Sequence, residues 1–337
     1  MVKRKRIDLI DYIKAVCIMM VIVTHWGWES KAYPPFTFGI RMAVPVFFLL
    51  SGYNSYISYS RKKDDSLKAL YAPSEMLPKL GWILLPYTVL YIIEAIYSVV
   101  TGIYTFGGVG DILGTYLTGG INRGVFGGYY VTLLLEFTIL SPLFYSLMKK
   151  NPFSGLLCFL VGNILYELCV SLFHMPNPVY RLILLRYIFM VGVGYFMAIK
   201  GTSADAATNI LMILSFAAGV IYLCAYDYHG YMSNLTIYWR STCLFSFFYA
   251  VPVIWYLFYF FKDRSVPSPI GKWWAVIGSS TWHIFLFQMV WYRLKCWQIY
   301  GAFPLFWIIF INELICVSAG VMWQMAESRM RKAVRNR

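Results

Sequence analysis

Residues 9–25 read Leu-Ile-Asp11-Tyr-Ile-Lys14-Ala-Val-Cys-Ile-Met-Met-Val-Ile-Val-Thr-His25, an apolar run that carries three ionisable side chains. About 20 apolar residues in a helix cover the hydrocarbon core of a bilayer, so this run and the residues just after it suffice for one crossing. Charge inside such a run is costly, and a side chain that persists there faces a partner or a cavity. Lys14 follows Asp11 by three residues, and His25 follows Lys14 by eleven. At 100° per residue the longer step returns to within about 20° of the same face. One stripe therefore carries an acid, a base and an imidazole, with Lys14 and His25 about 16 Å apart along the axis. Spacing alone leaves a plainer reading open, in which Lys14 snorkels to the surface and His25 bonds a neighbouring helix.

The rest of the chain repeats the pattern. Of its 337 residues 60% are apolar and 13% charged, against about 45–50% and about 25% in ordinary globular domains, and the mean hydropathy is +0.62. Apolar stretches near 9–28, 37–60, 76–100, 127–148, 152–174, 180–200, 207–226, 236–262, 270–292 and 303–326 predict an all-α, polytopic membrane bundle of about ten spans. The expectation is one membrane-embedded domain over 1–337 with no soluble domain appended. The basic start, Met1 to Arg6, resembles a signal peptide, but no small-residue cleavage site follows and the run reads as a retained first span. Residues 101–126, with Gly102, Gly107, Gly108, Gly110 and Gly114, are too broken to span and read as an outer loop or a re-entrant segment.

The net charge of +14 would suggest nucleic acid in a soluble protein. Here the basic residues cluster between the apolar runs, at Lys3 to Arg6, Arg61 to Lys63 and Arg329 to Arg337, which is the pattern of loops facing anionic lipid, so no nucleic-acid partner is expected. With the N-terminus inside, 20 Lys and Arg fall on inner segments and 7 on outer ones, which predicts a plasma-membrane protein with both termini cytoplasmic. Seven cysteines without a C-x-x-C pair read as small core residues. The four histidines lie on four segments without metal-ligand spacing, so no metal is expected. Trp26, Trp28, Trp239, Trp291 and Trp297 fall near outer boundaries, as an interfacial belt does.

The Asp11, Lys14, His25 run resembles the opening of the acyltransferase-3 family of membrane acyltransferases, whose first helix carries Asp, an Arg three residues on and a His eleven further. Lys14 stands where that Arg is expected, keeping the charge without the planar fork. In the second stretch, Phe47-Phe48-Leu-Leu-Ser51-Gly52-Tyr53 is similar to the family's Phe-Phe-x-x-Ser-Gly-aromatic signature. Weaker echoes are Lys79 with Pro86, where a pair of arginines is usual, Gly128-Tyr129-Tyr130-Val131, with Tyr in place of Trp, and Ser280 to Gln288, where Gln288 replaces a His.

The resemblance implies transfer of an acyl group, usually acetyl, from cytoplasmic acyl-coenzyme A to a hydroxyl of an extracytoplasmic glycan or lipid-linked sugar. In that reading His25 is the general base, and Asp11, Lys14 and Lys79 bind the anionic donor. Phe48, Ser51, Tyr53, Tyr130, Glu136 and Arg186 line or orient the pocket, with Ser51 favoured for packing over a nucleophilic role. Glu136 and Arg186 sit near mid-span, where a neutralising pair or cavity lining is expected. Membrane lipids and the two substrates are the expected partners, and acetyl-coenzyme A is a co-substrate rather than a resident cofactor. The competing class is a transporter or flippase for a glycan or lipid-linked precursor, for which many spans and a polar stripe would also serve.

Overall fold

The computed structural model describes residues 7–25, 34–121, 127–229, 242–264, 268–294 and 296–335. Among them no strand occurs, and the chain is an all-helical membrane protein. Its helices are α1 Asp8–Thr24, α2 Pro34–Tyr59, α3 Leu67–Leu70, α4 Pro73–Val100, α5 Val109–Leu117, α6 Tyr129–Lys150, α7 Pro152–Leu172, α8 Asn177–Arg181, α9 Ile188–Lys200, α10 Ala206–Leu223, α11 Leu244–Phe247, α12 Ala250–Phe261, α13 Pro269–Ser279, α14 Thr281–Arg293 and α15 Leu305–Arg335.

Six of these segments are long and apolar enough to cross a membrane: Pro73–Val100, Tyr129–Lys150, Pro152–Leu172, Ala206–Tyr226, Leu244–Phe261 and Leu305–Ala333. They match six of the ten expected stretches. The stretches at 9–28 and 37–60 hold the single helices α1 and α2, and the remaining two are broken. The stretch at 180–200 breaks into α8, a 3-10 turn at Leu184–Tyr187 and the short α9. The stretch at 270–292 is two helices, α13 and α14, because Ser280 bends the chain and turns its hydroxyl back onto the Val276 carbonyl. The glycine-rich segment holds the short α5, tied to α4 by Tyr87 Oη donating to Tyr116 O and Tyr91 Oη donating to Ile112 O. Trp26, Trp28, Trp239 and the Lys3 to Arg6 run lie outside the described residues.

Local chemistry sets the helix starts. Asn151 and Ser268 cap α7 and α13 with a proline at the next position, and Asp205 caps α10 through the Thr208 N–H. That bond and the Ser203 and Thr208 hydroxyls hold the Asp205 carboxyl down to about 2. Prolines inside α2, α4 and α6 are tolerated because neighbouring helices and polar side chains compensate the lost backbone bond. The exposed sides of α4, α7, α10 and α15 carry large apolar residues such as Leu85, Leu165, Ile213 and Met322, the surface that lipid covers. Of the cysteines only Cys17, Cys243 and Cys316 are core residues; Cys158 and Cys169 are exposed on α7, since an apolar run in a membrane helix is apolar toward lipid as well as inward.

The helices gather into two compact units, Met1–Ala43 with Leu257–Arg337, and Val44–Tyr256. In the first, α1 packs along α13 so tightly that a Cβ on Gly278 would lie 1.9 Å from the Asp11 carbonyl oxygen. In the second, α2 and α9 interlock through two glycines. A Cβ on Gly52 would lie 2.3 Å from Val191 O, and one on Gly194 would lie 1.9 Å from Leu49 O. Small residues that let backbones approach are what holds membrane helices together where lipid removes the hydrophobic drive.

Candidate functional site

In the first unit, α1 carries Asp11, Lys14 and, at its C-terminal cap, His25. Asp11 is buried, while Lys14 and His25 are half-buried. The His25 ring lies 5.8 Å from the ring of Tyr292 on α14, at an interplanar angle of 53°. Tyr292 Oη donates to Ile22 O at 3.1 Å, the same carbonyl that accepts the His25 backbone N–H at 3.2 Å. The end of α1 and its imidazole are thus pinned to α14 by a ring contact and a shared carbonyl. Tyr292 is buried and was not singled out in the sequence, where nothing distinguishes it from the other 27 tyrosines.

At the other end of α14, His283 Nε2 lies 2.6 Å from Glu327 Oε2 of α15, and Glu327 Oε1 accepts from Arg331 Nε at 2.7 Å. This gives His283 the partner that its burial requires. Glu327 was missed because its only visible signal is an i,i+4 pairing with Arg331 on an exposed helix end.

In the second unit, three of the expected residues meet. Phe48 is fully buried, stacks on Tyr187 at 4.9 Å and meets the edge of Tyr130 at 5.4 Å. Tyr53 is buried on the same helix, whereas Ser51 turns inward on its own backbone and donates to Phe47 O at 2.8 Å. Arg186 is buried beside this cluster, its guanidinium 4.5 Å from the Tyr180 ring and 5.2 Å from the Tyr187 ring, with Nε donating to Thr242 O at 2.8 Å. Glu136 takes a different partner, accepting the Leu184 N–H at 2.7 Å. Among the described residues the two do not pair. The carboxylate nearest the Arg186 cluster is Glu167, held by Tyr180 Oη, which donates to both its oxygens at 2.9 Å. A sequence cannot reveal this, because the 3-10 turn at Leu184–Tyr187 offers the Leu184 N–H to Glu136 while Arg186 bonds the Thr242 carbonyl.

Lys79 lines a cavity of about 490 Å³ between α2, α4 and α6, together with Asn54, Ser55, Ser58, Thr138 and Ser141. Its ammonium sits 4.2 Å from the Tyr59 ring centroid and donates to Tyr59 Oη at 3.1 Å, and that hydroxyl is 2.6 Å from Ser141 Oγ. Asn54, Ser55 and Ser58 belong to this cavity wall without standing out in any family-like motif. The signal was present: Ser51, Asn54, Ser55 and Ser58 fall at steps of three, one and three, one polar stripe down an otherwise apolar helix. Beyond the end of the cavity, Arg61 and Lys63 are exposed while Lys62 pairs with Glu75. Asp65 accepts from Lys149 and from Tyr145 Oη, and these bonds, Lys149 first, lower its carboxyl below the usual value of 3.8.

The first unit therefore offers an imidazole fixed at a helix end with a cation lower on the same stripe, and the second, by itself, a polar cavity with a lysine in its wall. An imidazole suits proton removal, and each of the two lysines suits anion binding. No curated protein and no solved structure matches the chain. The family model of the acyltransferase domain does, over residues 7–323, a stretch that takes in α1 with its Asp11, Lys14 and His25, the Phe48 to Tyr53 signature and Gln288. The chain belongs to the acyltransferase-3 family and is a membrane acyltransferase.

Proposed function

We propose that the protein is an O-acyltransferase that moves an acyl group, acetyl by preference, from cytoplasmic acyl-coenzyme A to a hydroxyl of an extracytoplasmic glycan or lipid-linked sugar. The observation that carries this reading is the fixed position of His25, at the cap of the helix bearing Lys14 and held by Tyr292. His25 takes the proton of the acceptor hydroxyl as its oxygen attacks the thioester carbonyl; the carbon–sulfur bond breaks and coenzyme A leaves as the thiolate. Imidazole suits this work because its pKa is close to ambient pH. The donor is highly anionic, and Lys14, Lys79 and the exposed Arg61 and Lys63 supply complementary charge. Both termini face the cytoplasm of the cell that carries the protein in its plasma membrane, in keeping with the excess of inner Lys and Arg.

The test is direct. Purified protein in lipid, given labelled acetyl-coenzyme A and acceptor-bearing membranes, should release free thiol and label the acceptor. A protein that only moves solutes leaves the thioester intact.

A further inference from the structure

Helices α14 and α15 run antiparallel, and three contacts fix their register. A Cβ on Gly320 would lie 2.4 Å from the Ile284 Cα, Ser280 Oγ donates to Gln324 Oε1 at 3.3 Å, and Trp291 Nε1 donates to Asn312 Oδ1 at 2.9 Å. Taking Ile284 and Gly320 as level, Gln288 stands about 6 Å, Glu313 about 10 Å and Tyr292 about 12 Å farther along the seam, at 1.5 Å per residue. Gln288 is one helical turn from both Ile284 and Tyr292, and Glu313 is two turns from Gly320, so each lies on the side of its helix that faces the seam. The seam leads to Tyr292, and so to His25.

The polar side chains lower in this seam have partners: Ser280 bonds Gln324, and His283 bonds Glu327. Gln288 differs. It is 0% exposed, yet neither its side-chain nitrogen nor its oxygen has a hydrogen-bond partner among the described residues. The same holds for both carboxylate oxygens of Glu313, which are themselves covered. A buried polar group left unpaired is destabilising, and a Met or Leu in either place would avoid that cost. Two such groups within about 5 Å along one seam, next to the His25 contact, are placed for something that binds.

We propose that Gln288 and Glu313 form a recognition site for the hydroxyl groups of a neutral polyhydroxylated acceptor, a sugar or the sugar of a glycolipid, beside His25. The primary amide donates and accepts, and the carboxyl group accepts, which matches neighbouring hydroxyls that each do both. An anionic acceptor is disfavoured, because Glu313 would face its charge. The assignment rests on the acyl-transfer reading for its purpose, but it is a statement about binding.

The test therefore measures binding first. The full-length protein in lipid nanodiscs is titrated with radiolabelled octyl β-glucoside below its micellar concentration, with 1-octanol as the single-hydroxyl competitor. Binding should saturate, methyl glucoside should compete and octanol should not. Gln288→Met and Glu313→Met, each made separately, should weaken binding by about tenfold, the worth of one buried hydrogen bond, and should raise the thermal midpoint because an unpaired polar group has been removed. A purely structural role predicts the reverse, a lower midpoint with affinity unchanged. Unchanged affinity in folded variants, or no saturable binding to the parent protein, overturns the proposal. The coenzyme A release assay is run in parallel: sugar binding that depends on both residues, without any thiol release, leaves this site standing and removes the acyl-transfer reading.

Discussion

The ring of Tyr292 lies 5.8 Å from that of His25, and its hydroxyl donates to Ile22 O, the carbonyl that also caps the His25 N–H. A residue 267 positions away thus sets where the imidazole of the first helix points. Tyr292→Phe keeps the ring contact and deletes one buried hydrogen bond, worth about 1 kcal/mol. Transfer should fall by about three- to tenfold with the donor KM unchanged. His25→Ala should cost about 10²- to 10⁴-fold while donor binding persists. Steady-state kinetics on folded protein separate the two. Parent-rate turnover by folded His25→Ala protein would remove His25 from the mechanism.

Lys14 and Lys79 are assigned to the donor and should fail differently from His25. Lys14→Ala and Lys79→Ala should weaken acetyl-coenzyme A binding and make it less sensitive to salt, since each removes a cation facing an anionic ligand. Lys14→Arg should retain most activity. A donor titration at two ionic strengths decides the matter, and unchanged affinity in both alanine variants would free these residues of that role.

Gly278 sits where α13 touches the backbone of α1 at Asp11. Gly278→Ala places a Cβ 1.9 Å from a carbonyl oxygen, so the helices must separate. The expected cost is about 1–3 kcal/mol or more of stability, together with lost activity through the displaced Asp11 and Lys14. Gly162 on α7 has nothing within 4 Å of its Cβ position, and Gly162→Ala is the matched control that should leave the thermal midpoint unchanged or higher. Equal midpoints for the two variants would contradict the close packing.

Acid should loosen the tie between the α2–α3 loop and α6. The Asp65 carboxyl is lowered by Lys149 and Tyr145, so it binds protons less readily folded than unfolded. Its contribution is fully present above the unfolded value of 3.8 and is lost as pH falls through the lower folded value. Asp65→Asn should therefore lower the thermal midpoint at neutral pH and flatten its decline in acid. Parallel curves for the two proteins would show that the pair contributes nothing measurable.

Topology provides an independent check. Reporter fusions at Arg337 and near Asp227 should report opposite sides of the membrane, the former cytoplasmic. Reporters on one side would refute the assignment of inner and outer loops.

The sequence by itself determined the class of the protein, because a bilayer demands long apolar helices and penalises charge inside them, leaving a pattern that needs no tertiary information. It also determined the stripe on α1, since 3.6 residues per turn fixes which residues share a face. The polar stripe of α2 is equally legible, and its Asn54, Ser55 and Ser58 line the cavity beside Lys79. What lay beyond reach was pairing between helices. Glu136 and Arg186 looked complementary, yet the 3-10 turn before α9 gives Glu136 a backbone N–H and hands Arg186 to Thr242 and two tyrosines. Tyr292 with His25, Glu327 with His283, and the unpaired Gln288 and Glu313 depend on the crossing and register of α1, α14 and α15. Those are set by where Gly278 and Gly320 let backbones touch, a property of three-dimensional packing that no periodicity within a single helix encodes.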